Sequence, residues 1–210
     1  MRQAKALKKN KTPGTRERIL KVALKEFADR GFSGARVDQI AGAADTSKHM
    51  LYYHFGSKTG LYESVLEHAY SGIRITEADI DVDHMEPVEA LTSIVRQSFD
   101  YHCDHEMFVR LVMNENIHHA EHITDQQIQP NRPIILRLSK ILERGAESGV
   151  FRSDIDPVQL HMTISALGFH YVSNKYSFAK IFELDMHTGA ARSKRRGLVE
   201  DIVLRWVSSI

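Results

Sequence analysis

The strongest constraint on the fold is a run of three short helical segments, each closed by turn residues, near the start of the chain. In the first segment Ile19, Ala23 and Phe27 recur at helical spacing, so one face of a helix can be buried. We expect Thr15 to cap this helix at its start and Gly31 to end it. Because no segment of the chain has a convincing strand pattern, the predicted fold class is all-α.

The next two segments have the spacing of a helix-turn-helix. A second helix is predicted over residues 36–44, where the apolar residues can bury only one face. Ser47 can cap a third helix, which ends near Phe55 because Gly56 follows. Leu51 and Phe55 lie one turn apart and would face a small core. Two short helices joined by a tight turn, the second polar on its outer face, form the arrangement that places a helix in a DNA groove.

The outer face of the third helix carries the candidate DNA contacts. Its exposed first turn is placed to read base edges in a major groove. The aromatic and imidazole side chains further along could donate to phosphate oxygens, although one of the two tyrosines is expected to be a partly buried core residue. The next helix would bring a lysine to free backbone amides, a natural phosphate site. The predicted DNA-binding residues are Arg36, Thr46, Ser47, Lys48, His49, Met50, Tyr52, Tyr53, His54 and Lys58.

Charge is divided along the chain in a way that fits a polyanion partner. Residues 1–60 hold 13 Lys and Arg against 5 Asp and Glu, whereas the remainder holds 15 against 22. A basic segment can be a solvated face, and an anionic membrane surface is another possible partner. We divide the chain into a basic flexible arm (1–14), a helix-turn-helix domain (15–60) and a larger helical domain (61–210). The arm could follow the DNA backbone or enter a minor groove.

The first domain and the following helix contain seven residue pairs of a known pattern: Ile19-Leu20, Gly31-Phe32, Ile40-Ala41, Ser47-Lys48, Leu51-Tyr52, His54-Phe55 and Ser57-Lys58. These residues closely resemble the DNA-binding domain of the tetracycline-repressor (TetR) family. The resemblance implies a homodimeric, ligand-responsive transcription factor, most often a repressor, whose last helices form the dimer interface. One departure is Asp45-Thr46, where the family usually has Gly-Val before the serine of the turn; Asp tolerates the positive φ expected there better than most residues.

The larger domain is predicted to contain five further helices and to carry dimerisation. They cover residues 86–104, 106–119, 124–148, 157–178 and 193–207, with Pro130 and Pro133 expected to break or kink the middle one. Periodicity alone would assign the apolar stripes of the last two helices to the core of one subunit, but the family resemblance implies a twofold dimer and a near-palindromic operator. The predicted dimerisation residues are Leu160, Ile164, Leu167, Tyr171, Leu198, Ile202 and Trp206.

A small organic effector, of unknown identity, is the partner expected for the central helices, where the family has its ligand pocket. These helices offer apolar residues with a few interspersed polar groups, as ligand pockets do. An arginine and several histidines could favour an anionic, aromatic ligand. The predicted effector-binding residues are Met107, Arg110, Leu111, Asn114, His118, Phe169, His170 and Asn174.

Two other classes of function stay open from the sequence. His118 and His122, with Cys103 and Glu115, could form a transition-metal sensor, and the basic head could serve another polyanion in a helical ligand-binding protein. An enzyme with Cys103 as nucleophile is disfavoured because no acyl- or phosphoryl-transfer motif accompanies it. We therefore predict no catalytic residue, cofactor or metal. With one cysteine, no secretory signal and no spanning segment, the expected location is the cytoplasm, without membrane contact.

Overall fold

The computed structural model describes residues 14–78, 81–124 and 132–209, and within these ranges the protein is all-α, as predicted. Ten α-helices and one short 3-10 helix are present there, and the only strand-like pairing among these residues is an isolated bridge between Phe151 and Ser208. The α-helices are α1 (Thr15–Gly34), α2 (Val37–Ala43), α3 (Lys48–Phe55), α4 (Lys58–Ala78), α5 (Pro87–Asp104), α6 (Glu106–Ile117), α7 (Arg132–Glu147), α8 (Pro157–Ser173), α9 (Lys175–Ile181) and α10 (Gly189–Val207), and the 3-10 helix is Val82–His84.

The ends of α1 differ from the prediction. Gly14, not Thr15, is the N-cap: its backbone is extended, and its N–H donates to the Glu17 carboxylate at 3.2 Å. Glu17 thus satisfies the Gly14 amide, whereas no side chain of the N-cap residue accepts from the first turn of the helix. Gly31 does interrupt the helical conformation, with φ 65° and ψ 176°, but one more helical turn follows and extends the element to Gly34.

Two boundaries near the other end of the chain are also corrected. The predicted helix 157–178 is two helices, because Asn174 leaves the helical conformation at φ −109° and ψ 3° between α8 and α9. The last helix begins four residues early, at Gly189, since the Thr188 side chain accepts a hydrogen bond from the Ala191 N–H at 3.3 Å and caps it. Pro133 lies in the first turn of α7, where its missing N–H costs nothing, and Pro130 lies outside the described residues.

Two apolar clusters form the interior. The first joins α1, α2, α3 and α4 to α6, and its fully buried side chains include Phe27, Tyr62 and Leu111. The second joins α5, α7, α8 and α10, with Phe99 and Phe151 among its largest buried residues. Helices of the predicted DNA-binding domain thus share one continuous core with helices of the larger domain.

An ion-pair network fastens α10 to α5. The Arg192 guanidinium lies 2.8 Å from the Asp100 carboxylate and 2.5 Å from that of Asp104, and Arg196 lies 2.6 Å from Asp100. The hydrogen bond from Arg192 holds the pKa of Asp104 below its usual range. Because several charges act together, the network fixes the position of α10 better than isolated surface pairs would.

Candidate nucleic-acid interface

The turn between α2 and α3 has the backbone that the sequence predicts. Asp45 adopts φ 49°, in the left-handed region. Two backbone hydrogen bonds close the turn: the Asp45 N–H donates to the Gly42 oxygen at 3.2 Å, and the Thr46 N–H donates to the Ala41 oxygen at 3.0 Å. Asparagine and aspartate reach this region at lower cost than other residues with a Cβ, which explains how the turn forms without glycine.

Local contacts fix α3 on the core. The Ser47 hydroxyl accepts a hydrogen bond from the Met50 N–H at 3.1 Å, so Ser47 caps the helix as predicted. Leu51 and Phe55 are buried in the first apolar cluster, and Gly56 ends the helix at φ 74°. With one face anchored in this way, the opposite face of α3 is presented to solvent as a rigid surface.

The exposed face of α3 carries two positively charged or titratable residues and two aromatic ones. Lys48 and His49 are exposed on the first turn. Tyr52 is 43% exposed and Tyr53 is 75% exposed, so the expectation that one tyrosine belongs to the core is wrong. Large aromatic side chains held in water at the end of a polar helix are available to contact a partner.

The remaining predicted DNA-binding residues surround this face and differ in their exposure and in their side-chain contacts. Thr46, Met50 and His54 are half-buried beside it. Arg36 is exposed at the start of α2, with its guanidinium 3.3 Å from the Asp38 carboxylate. Lys58 folds back over the Phe32 ring, 5.1 Å from the ring centroid, and donates to the Ser33 oxygen at 3.4 Å. To contact phosphate, the Lys58 side chain would have to leave both partners.

Two predicted effector residues lie instead where α6 contacts the end of α1. The Arg110 guanidinium is 3.1 Å from the Asp29 carboxylate, and the Asn114 amide donates to the Ala28 oxygen at 3.2 Å. Asn114 also lies beside Gly31, where α1 is interrupted. These side chains therefore connect the larger domain to the helix that supports the DNA-facing unit, a role that spacing within α6 gave no means of predicting.

A second connection, which the sequence did not identify, is a buried polar cluster where α1, α4 and α6 meet. The Glu115 side chain is 1% exposed, and its carboxylate accepts a hydrogen bond from the His122 N–H at 2.7 Å. The Tyr62 hydroxyl is close enough to the same carboxylate to interact with it electrostatically. The Nδ1 atom of His122 lies 3.3 Å from the same carboxylate, an electrostatic contact without hydrogen-bond geometry. The His122 ring packs 4.4 Å from that of Phe32 and 4.9 Å from that of Tyr62, measured between centroids. Burial, together with the charge of Glu115, raises the pKa of the Tyr62 hydroxyl.

A strained turn brings His122 back to this cluster. His119 and Ala120 both adopt positive φ, at 60° and 58°. Left-handed backbone costs about 1–2 kcal/mol for each residue with a Cβ. The contacts of His122 with Glu115, Tyr62 and Phe32 offset that cost.

The other predicted effector residues do not share one site. Leu111 is buried in the first cluster, His118 is exposed, and Met107 borders a surface cavity between α1, α4, α5 and α6. Phe169 is half-buried beside the first cluster. His170 and Asn174 line a cavity of about 520 Å³ between α8, α9 and α10. That volume is typical of small-molecule sites.

The predicted dimerisation residues divide between the interior and the surface. Leu160 and Ile164 are buried in the second cluster of their own subunit, and Leu167, Tyr171 and Trp206 pack partly against it. The Tyr171 hydroxyl donates to the Met186 oxygen at 3.2 Å. Leu198 and Ile202 remain 48% and 38% exposed, and Met162 of α8, absent from the prediction, is 56% exposed.

The geometry does not favour a metal sensor or an enzyme. Glu115 and His122 are adjacent, but Cys103 lies elsewhere, near Lys175 and Arg192, and no group of three potential ligands is placed to hold a metal ion in the described ranges. Burial raises the pKa of the Cys103 thiol to about 11, which suppresses the nucleophilic thiolate. In the same ranges, no helix is long and apolar enough to cross a membrane.

Comparison with known proteins decides the family. Residues 19–65 match the family described as "Bacterial regulatory proteins, tetR family", and residues 87–203 match "Tetracyclin repressor-like, C-terminal domain". The chain belongs to the TetR family. It is therefore a DNA-binding transcriptional regulator and not an enzyme, as the sequence predicted.

TetR-family relatives match over most of the chain. The HTH-type transcriptional repressor NicS of Pseudomonas putida is 34% identical over 91% of this chain and 91% of that protein. The regulator RutR of Escherichia coli K12 is 30% identical over 77% of this chain and 79% of its own length.

Solved TetR-family structures have the same fold. The regulator SCO4942 of Streptomyces coelicolor superposes with a TM-score of 0.69 at 26% identity, over 90% of this chain and 98% of that one. The ketosteroid regulator KstR2 of Mycobacterium tuberculosis gives 0.70 at 21% identity, over 95% and 98%.

Proposed function

We propose that the protein is a homodimeric, cytoplasmic repressor that binds a palindromic operator through α2 and α3 and is released from it by a small organic effector. The observation that carries the proposal is the exposed face of α3, with Lys48, His49 and Tyr53 held outward by a helix whose other face is buried, in a chain of the TetR family. Lys48 and His49 are the residues we assign to base edges, and Tyr53 to phosphate.

The exposed apolar residues of α8 and α10 support a dimer through these two helices. Met162, Leu198 and Ile202 remain uncovered in a single subunit, whereas Leu160 and Ile164 are already used in its core. Pairing α8 and α10 with their copies would form a four-helix interface around a twofold axis. The two α3 helices could then read successive major grooves about 34–36 Å apart.

The contacts of α6 with the DNA-facing unit support a route for effector release. Arg110 and Asn114 attach α6 to α1, and Glu115 with His122 attaches it to α4 through Tyr62. A displacement of α6 would therefore move α1 and α4 together, and with them α3. An effector changes the operator affinity only by its differential affinity for the two arrangements, a coupling of about 1–3 kcal/mol in most proteins.

Fluorescence anisotropy tests the DNA assignment. The purified protein is titrated against a palindromic fragment of its own promoter and a scrambled fragment, at two salt concentrations. We expect at least about a thousandfold preference for the promoter fragment. Tyr53→Ala should weaken binding to both fragments, whereas Lys48→Ala and His49→Ala should change which base pairs are preferred; Lys140→Ala, an exposed lysine of α7, is the control. Equal losses on both fragments for all three variants would contradict the division between base and phosphate contacts.

A further inference from the structure

Helix α10 places three arginines close together, and they have different environments. Arg192 and Arg196 pair with carboxylates of α5. Arg195, between them in sequence, lies beside the cavity of about 520 Å³. Its Nε is buried, and the described part of the chain supplies no hydrogen-bond partner to that atom. The described part of the chain shows no ion pair of Arg195 with a carboxylate, so the rest of its guanidinium is available to an acidic group in the cavity.

The cavity walls are apolar around this donor. His170 and Asn174 add polar groups to walls that are otherwise largely apolar, formed by Tyr171, Phe178, Leu184, Met186, Ala191 and Leu198. Such a mixture of apolar walls and a few polar groups is typical of sites for small organic ligands.

The charges at the cavity favour an anion. Lys194 and Arg195 contribute two positive charges to the lining, and Asp185 contributes one negative charge. The Asp185 carboxylate already accepts a hydrogen bond from the His187 N–H at 3.1 Å, and no ion pair joins it to Arg195 among the residues that the structure describes. A carboxylate, sulfonate or phosphate in the cavity would pair with the Arg195 guanidinium, a group that favours such acidic partners.

We propose that this cavity binds a small organic anion, with its charged group on Arg195 and its apolar body against Phe178, Met186 and Leu198. The inference rests on the proposed function, because it takes the ligand of this cavity to be the effector. Leu198 also lies on the exposed face of α10 that we assign to the dimer. A bound anion would therefore contact the helix that sets the relative orientation of the two subunits, which is how occupancy would alter the spacing of the α3 helices.

A pair of matched fluorescent probes tests the site in the full-length protein. Anilinonaphthalene sulfonate is an aromatic anion that brightens in apolar surroundings, and phenylnaphthylamine is the same ring system without the sulfonate. We expect the wild-type protein to bind the sulfonate at one site per subunit, and at least about tenfold more tightly than the uncharged probe.

Variants distinguish the contribution of the Arg195 guanidinium to probe binding from that of the apolar walls. Arg195→Gln should lose about tenfold in sulfonate affinity without weakening phenylnaphthylamine binding, and Arg195→Lys should restore part of the loss. Phe178→Ala should weaken both probes. Arg205→Gln, which removes an exposed arginine of the same helix, should change neither.

Two results with the probes would overturn the proposal: unchanged sulfonate binding in Arg195→Gln, or equal affinity of the wild-type protein for the two probes. A third would be sulfonate binding that disappears as the protein dimerises, because the partner subunit would then fill the cavity. Promoter binding is measured by anisotropy on the same samples. If it is intact while the probe results fail, only the ligand site is wrong; if specific promoter binding is itself missing, the proposed function is wrong.

Discussion

Replacing Tyr62 by Phe removes one hydroxyl from the buried cluster that joins α4 to α6. The ring would keep its packing against Phe27 and His122, whose centroids lie 4.8 Å and 4.9 Å from that of Tyr62. The Glu115 carboxylate, 1% exposed, would lose its polar contact with the Tyr62 hydroxyl and keep the His122 N–H at 2.7 Å. The substitution therefore tests a single buried polar contact with little change in shape.

The expected cost follows from the burial of the acceptor. Removing a polar partner from a buried charged group costs about 1.5–3 kcal/mol, and water cannot replace the hydroxyl where Tyr62 and Glu115 are both 1% exposed. We expect the free energy of unfolding to fall by about 1.5–3 kcal/mol, at the upper end if the carboxylate finds no new donor.

Urea denaturation at fixed protein concentration measures this loss, because the stability of a dimer depends on concentration. Tyr53→Phe is the matched control: its ring is 75% exposed, so its unfolding free energy should change by less than about 0.5 kcal/mol. For promoter affinity the pattern should be reversed, with Tyr53→Phe changed and Tyr62→Phe unchanged. Folded Tyr62→Phe should bind the promoter within about twofold of wild type, whereas Tyr53→Phe should bind less tightly because a phosphate donor is lost.

An unfolding free energy of Tyr62→Phe within 0.5 kcal/mol of wild type would show that the hydroxyl does not stabilise the junction, and the proposed route from α6 to α3 would lose its main support.

Two further substitutions test the interior of the larger domain. Burial, aided by the charge of Arg74, lowers the pKa of His161 to about 4; the unfolded chain therefore gains the proton first on acidification, and stability should fall by about 2 kcal/mol as pH drops from about 6.5 to 4. His161→Gln should flatten that dependence in urea denaturation, and an unchanged slope would contradict the assignment. Gly145→Ala would place a methyl group against the buried Phe151 ring and should cost about 1–3 kcal/mol, whereas Gly42→Ala, in open space on α2, should be neutral or stabilising; equal melting temperatures for the two would refute the packing argument.

The sequence was sufficient for the elements whose stability is local. Ser47 caps α3 through its own hydroxyl, Gly56 ends that helix at positive φ, and Asp45 supports the turn, and each depends on the residue and its near neighbours. The apolar spacing of Leu51 and Phe55 likewise fixed which face of α3 is buried. These are the features that position the candidate DNA contacts.

Long-range pairing was not predictable in the same way. Arg110 contacts Asp29, 81 positions earlier in the chain, and nothing within α6 identifies that partner. The stripe containing Leu160 and Ile164 has the same period whether it faces a second subunit or its own core, and the fold places it in the core. His122 joins Glu115 only because His119 and Ala120 both adopt left-handed backbone, and an alanine gives no reason to expect that conformation.

The apolar cluster shared by α1, α2, α3, α4 and α6 has a consequence for building chimaeric regulators. A fragment ending at residue 60 would leave Phe27 without Tyr62 and the rest of α4, so we expect it not to fold alone. Exchanging DNA specificity between family members by transplanting residues 15–60 would join two unmatched surfaces at the Arg110 and Tyr62 contacts. A functional graft should therefore either change only the exposed positions of α3 or carry α4 and the facing side of α6 with it.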